Sequence, residues 1–229
     1  MQVGCGLCTI VSAKETKDIY LSGPPHIMFE AYTSLPDFPS HLADPRRNAC
    51  VIGPGAGKGD AEELRHCIEH VLRFKKPTVV DADALNVFDD RHPDLSYVLH
   101  ENCVLTPHEG EFSRLFPFLD GTREERVQKA VQLTGAVILL KGPETIICNP
   151  TGDMIINDHA TPWLATAGAG DVLAGMIGGL LAEGMPVLKA CAAATWIHGE
   201  AAIEFGPGLT APNIIGQIPQ VLRELMADK

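Results

Sequence analysis

The sequence predicts an α/β domain with a mostly parallel central sheet and helices on both faces. Two patterns carry that expectation. Short β-branched runs alternate with longer helical patterns, as repeated strand–helix units do. Several of the runs are apolar throughout, as strands covered on both faces are. The length fits as well: 229 residues, 45% apolar and 21% charged, have the composition of a globular protein with one substantial core.

In chain order, strands are expected at "GLCTIVS" (6–12), "IMFEAY" (27–32), "ACVIG" (49–53), "PTVVDAD" (77–83), "NCVLTP" (102–107), "AVILLKG" (136–142), "ETIICNP" (144–150) and "DMIIND" (153–158). The last two flank Thr151-Gly152, which suggests a hairpin. Helical patterns occupy 59–74, 109–117, 122–134, 170–183, 187–205 and 212–227, while 35–48 reads as a Pro-rich connection. With no internal repeat and no dividing linker, residues 1–229 are expected to form one domain.

The formal charge is −11 without a block of like charges, which argues against a nucleic-acid partner. A small anion can still be held locally by backbone N–H groups and a lysine or two. Seven cysteines (5, 8, 50, 67, 103, 148 and 191) are scattered, and the lone Cys5-x-x-Cys8 has no second pair to complete a zinc site. Free thiols in a reducing cytosol are expected. No signal peptide or bilayer-length apolar stretch is evident, so the expected protein is cytoplasmic and not membrane-bound.

"VIGPGAGKGD" (51–60) has the look of a phosphate-cradling loop but fails as a Walker motif. Three residues rather than four separate Gly53 from Gly57, and Lys58 is followed by Gly59, which has no hydroxyl for Mg²⁺.

In parallel sheets, ligands sit beyond the carboxyl ends of the strands. Four segments fall there. In "TAGAGDVLAGMIGGLLAEG" (166–184), small residues run into an apolar helix, so free N–H groups and the positive helix end converge near Asp171. Asp171 could accept a proton from an attacking hydroxyl, or simply cap the helix. Gly175, Gly178 and Gly179 read as helix–helix packing devices. In "ILLKGPETII" (138–147), Lys141 could point at a phosphate or be a solvated strand end. In "LTPHEGEFSRLF" (105–116), His108 and Glu111 share a helical face. In "VVDADALN" (79–86), Asp81, Asp83 and Asn86 suit water-mediated Mg²⁺ contact or turn-making. His198, in an apolar helix, reads as a satisfied core residue.

In this order, "VIGPGAG", "VVDADALN", "LTPHEGEF", "LLKGPETII" and "LATAGAGDVLAGMIGGLLAEG", continued by "ATWIHGEAA" and "GLTAPNII", closely resemble the ADP- or ATP-dependent (S)-NAD(P)H-hydrate dehydratases, a ribokinase-like family. The resemblance implies dehydration of NAD(P)H hydrate at the expense of ADP, or of ATP as in eukaryotic members, with Mg²⁺. It implies hydrate contacts at Gly53, Gly55, His108 and Asp171, the last also catalytic. The adenine nucleotide is expected at Lys141, Gly142, Pro143, Glu144 and Thr145 and at Gly168, Ala169 and Gly170. Glu111 and Asp83 are the expected Mg²⁺ contacts, through water. A separate epimerase is the implied functional partner, and a homo-oligomer, tetrameric as in relatives, the implied assembly.

Members of that family normally carry a further strand with a Gly-Gly-Ser turn and an Ala-rich helix ahead of the position where this chain opens. Part of the hydrate pocket is therefore expected to be missing, through truncation, a misassigned start or a reduced and impaired nucleotide-binding member. A kinase of the same superfamily is the nearest rival; such kinases often show Asn-x-x-Glu where this chain has His108-Glu109-Gly110-Glu111, and that difference together with "GPG" favours the dehydratase.

Overall fold

The structure, a computed structural model, describes every residue except Lys58, Asp90, Asp228 and Lys229; the lysine of the Walker-like stretch thus lies outside the described residues. Each apolar run becomes a strand: β1 (Thr9–Ala13), β2 (Met28–Tyr32), β3 (Cys50–Ile52), β4 (Thr78–Val80), β5 (Cys103–Leu105), β6 (Val137–Leu140), β7 (Thr145–Cys148) and β8 (Met154–Asn157). The helices are α1 (Lys17–Leu21), α2 (Phe38–Leu42), α3 (Ala61–Arg73), α4 (Asp83–Asn86), α5 (His92–Ser96), α6 (Glu109–Leu115), α7 (Arg123–Thr134), α8 (Ala169–Ala182), α9 (Val187–Phe205) and α10 (Ala211–Ala227).

β3 to β8 form one sheet in sequential order. β3 to β6 run parallel, and β7 and β8 add antiparallel strands at one edge. The expected hairpin is present, with Gly152 at φ +92° in its turn, a conformation that favours glycine. The buried strands divide their side chains between two cores. Val79, Val104, Val137, Leu139 and Ile147 pack under α8, α9 and α10. Val80, Leu105, Ile138, Leu140 and Ile146 pack under helices on the opposite face, including α3, α6 and α7. A strand with two apolar faces has no polar alternation to show, which is why these runs read as continuous.

Capping sets the helix starts. The Asp60 carboxylate accepts from the N–H groups of Glu62 and Glu63 ahead of α3, and Thr122 with Glu125 forms a capping box on α7.

The fold departs from expectation in four places. β1 and β2 pair in parallel with each other as a separate two-stranded sheet instead of joining the six-stranded one. The Pro-rich connection at 35–48 contains α2, whose Pro39 sits in the first turn, where its missing N–H costs nothing. α1, α4 and α5 are too short to produce a helical period. Gly178 and Gly179 do serve packing, but not between helices: a Cβ at either would collide with Val51 of β3 or with Val3, while Gly175 has open space.

Candidate active site

The carboxyl ends of β3 to β6 form a row. Pairing continues past the strands: Asp81 N–H donates to the Ile52 carbonyl (3.1 Å), Thr106 N–H to Val80 (3.1 Å) and Lys141 N–H to Pro107 (2.8 Å). His108 and Lys141 form a further bridge. Gly53, Asp81, His108 and Lys141 therefore lie at one sheet end, as the strand-end rule expects.

Gly53 has φ +120°, and a Cβ there would collide with the Asp81 carbonyl and with Ala84. No other residue fits. Gly55 also has positive φ (+70°), and the turn is held to α4 by the Gly57 N–H donating to Asp83 Oδ2 at 2.9 Å. Between the two aspartates, Ala82 is forced to φ +51°, which aims Asp81 and Asp83 in different directions.

Asp81 is 1% exposed and accepts from Lys141 Nζ at 2.9 Å. A second carboxylate, Glu111 Oε2, lies 3.9 Å from the same ammonium. Lys141 is thus not a solvated strand end. Glu111 Oε2 also accepts from the His108 N–H at 2.8 Å, while His108 Nδ1 accepts from the N–H groups of Gly110 (3.0 Å) and Glu111 (3.2 Å). This capping box leaves the neutral imidazole with its proton on Nε2, on a side chain that is largely exposed. Among the described residues no group of three His, Cys, Asp or Glu side chains could hold a metal ion.

Lys141, Gly142, Pro143 and Glu144 form the tight turn from β6 into β7, and Thr145 opens β7. Facing them is the start of α8. Its N-cap is Gly168 (φ +83°), with no side-chain cap, so Asp171 is not the capping residue. Among the described residues, the N–H groups of Gly168, Gly170 and Asp171 have no hydrogen-bond partner, and no hydrogen bond engages the Asp171 carboxylate. The helix closes on the lysine: a Cβ at Gly170 would lie 3.5 Å from Lys141 Nζ. Asp171 is solvent-accessible, yet its carboxyl is held above the usual aspartate range. Partial burial of the group is the main cause, Asp81 and Asp83 add to it, and Lys141 opposes it. From behind, buried His198 of α9 donates from Nε2 to the Ala169 carbonyl at 3.0 Å, and burial lowers its pKa to about 4.

The structure therefore brings Gly53, Asp83, His108, Glu111 and Lys141 together with Gly170 and Asp171, whereas Ala169 of α8 is buried in the core and Thr145 within β7. Asp81, read from the sequence as a water-mediated Mg²⁺ contact or a turn-maker, instead grips Lys141, and Arg123, which the sequence did not mark, donates from its guanidinium to the Glu144 carbonyl at 2.9 Å. The sequence shows only that Arg123 is a cation in a first helical turn, where the dipole disfavours it; that it reaches Glu144 is seen in the fold alone.

A family model described as NAD(P)H-hydrate dehydratase matches residues 1–219. The chain belongs to the NAD(P)H-hydrate dehydratase family. It is 35% identical to the ADP-dependent (S)-NAD(P)H-hydrate dehydratase of Neisseria meningitidis, with 98% of this chain and 77% of that protein covered. It is 37% identical to the bifunctional NAD(P)H-hydrate repair enzyme of Thermosynechococcus vestitus, covering 98% of this chain and 45% of that one. The chain thus spans about half the length of such bifunctional relatives. The ADP/ATP-dependent NAD(P)H-hydrate dehydratase of Bacillus subtilis, crystallised with ATP and Mg²⁺, superposes with a TM-score of 0.81 at 25% identity, over 98% of this chain and 83% of that one. The fold of this family member is ribokinase-like.

Proposed function

We propose that this protein removes water from (S)-NAD(P)H hydrate at the expense of ADP or ATP. The observation that carries the reading is the carboxylate of Asp171, unengaged, at the amide-rich start of α8 and across from Lys141. Lys141 to Thr145 and Gly168 to Gly170 hold the adenine nucleotide; Gly53, Gly55 and His108 hold the hydrate.

Asp171 takes the proton of the ring hydroxyl, whose oxygen forms a bond to the terminal phosphorus of ADP as the bond to the bridging oxygen breaks and AMP leaves. The α8 amides and Lys141 stabilise the charge gathering on the phosphoryl oxygens. The ring nitrogen's lone pair then expels phosphate along with the former hydroxyl oxygen, and loss of the adjacent ring proton restores the dihydropyridine. A carboxylate held above its ordinary pKa is a stronger base for the first step.

The donor set does not build a resident metal site: Glu111 Oε2 and Asp83 Oδ2 already accept from backbone N–H groups. Mg²⁺ belongs to the nucleotide complex as co-substrate, with the remaining carboxylate oxygens of Glu111 and Asp83 available to its waters. Among the described residues no helix is long and apolar enough to cross a membrane. A cytoplasmic homo-oligomer working together with an NAD(P)H-hydrate epimerase completes the reading, and the bifunctional relatives support the epimerase link.

Incubation with NADH hydrate and ADP tests this. Return of the NADH absorbance with equimolar AMP and phosphate is expected; a stable phosphorylated product without absorbance recovery would make the protein a kinase. ADP binding without turnover would make it an impaired member.

A further inference from the structure

Arg123 opens α7, and its contacts lie outside that helix. Nη1 donates to the Glu144 carbonyl at 2.9 Å, Nη2 to the Lys141 carbonyl at 3.5 Å, and Nε pairs with Glu109 at 3.4 Å. Both ends of the Lys141–Glu144 turn are therefore fastened by one planar group. Glu109, which Arg126 also grips, directly follows His108. Gly142 makes room for this arrangement: a Cβ there would lie 2.5 Å from Nη2 and 3.2 Å from Cζ. Gly142 does not have positive φ, so space and not backbone conformation demands glycine.

We propose that Arg123 is a positioning residue for the adenine nucleotide, fixing the Lys141–Glu144 turn and coupling it through Glu109 to the helix that begins at His108. This rests on the nucleotide reading of the turn. A flexible hairpin turn between two antiparallel strands would otherwise have to be ordered by the nucleotide itself, at the expense of affinity. A lysine cannot substitute, because two carbonyls and a carboxylate require the guanidinium fork.

The test compares ADP binding by calorimetry, steady-state kinetics and thermal melting for wild type, Arg123→Gln, Gly142→Ala and the double variant. Each single change should weaken ADP binding about tenfold and raise KM for ADP similarly, with kcat at saturating ADP and KM for hydrate within about twofold. The double variant should bind about as Arg123→Gln does, because Gly142→Ala acts by displacing a guanidinium that is already gone. Wild-type ADP affinity in Arg123→Gln, or fully additive losses in the double variant, would overturn the inference alone. Should Arg123→Gln fail to fold, Arg123→Lys decides by the same readout: it keeps the charge but loses the fork, so ADP binding should still weaken, and wild-type affinity would overturn the inference. Wild type that binds no ADP would overturn the nucleotide reading, and this inference with it.

Discussion

The two sides of the proposed site are held in place by different physics. On the side proposed for the hydrate, position is set by backbone shape: Gly53 lies against the Asp81 carbonyl with no room for a Cβ, and Ala82 is forced to positive φ. On the side proposed for the nucleotide, position is set by polar side chains reaching across elements. Asp81 holds Lys141, Arg123 holds the Lys141–Glu144 turn, and His198 holds the first turn of α8. A shape-built side tolerates no added atom. A charge-built side instead responds to loss of a hydrogen-bonding group and to pH. Asp171 stands where the two sides meet and is claimed by neither.

Asp171→Asn should therefore have the largest effect, lowering kcat about 10²–10⁴-fold while ADP affinity by calorimetry stays within a few-fold. In wild type, because the Asp171 carboxyl is raised above 3.8, the acid limb of kcat/KM should lie above that of an ordinary aspartate. An unchanged rate in the Asn variant would remove the residue from its role.

Gly53→Ala probes the shape-built side. The added methyl must displace backbone, so chemical denaturation should show a loss of about 1–3 kcal/mol, with KM for hydrate rising more than KM for ADP. An equal rise in both would mean that the sides are not separate.

His198→Gln probes the other side. Folding depresses the His198 pKa from 6.5 to about 4, so the unfolded chain binds the additional proton and stability falls as pH drops through that interval. Glutamine keeps an N–H donor for the Ala169 carbonyl but does not titrate. The variant should be about 1 kcal/mol less stable at neutral pH and show a flatter decline between pH 6.5 and 4. An identical pH slope would exclude His198 as its source.

Ala82→Gly should have the smallest effect, a gain of at most about 1 kcal/mol, because relief of positive-φ strain of about 1–3 kcal/mol is partly offset by the roughly 0.5–1 kcal/mol of extra backbone entropy that glycine loses on folding. Loss of hydrate affinity without that gain would show that the alanine's rigidity serves the site.

The strands of the large sheet were legible because each is an apolar run between punctuating residues, "PTVVD" and "AVILLKG" among them. The separate pairing of β1 with β2 was not, since a strand's partner is chosen by packing elsewhere in the chain. Nor were α1, α4 and α5, none longer than 5 residues, which show no periodicity. The site positions were legible through short motifs at strand ends. Their supports were not, because Asp81 and Lys141 are 60 residues apart, Arg123 and Glu144 are 21 apart, and Ala169 and His198 are 29 apart. Local sequence shows what a residue can donate, and only the fold shows what it reaches.

Delivery of a phosphoryl group to the ring alcohol is the central step of the proposed reaction. NADH hydrate prepared in water enriched in oxygen-18 carries the label in its ring hydroxyl, and mass spectrometry of the phosphate released with ADP in unlabelled water reads the outcome. One labelled oxygen per phosphate is the expected result; unlabelled phosphate, with the label lost to solvent, would contradict the mechanism.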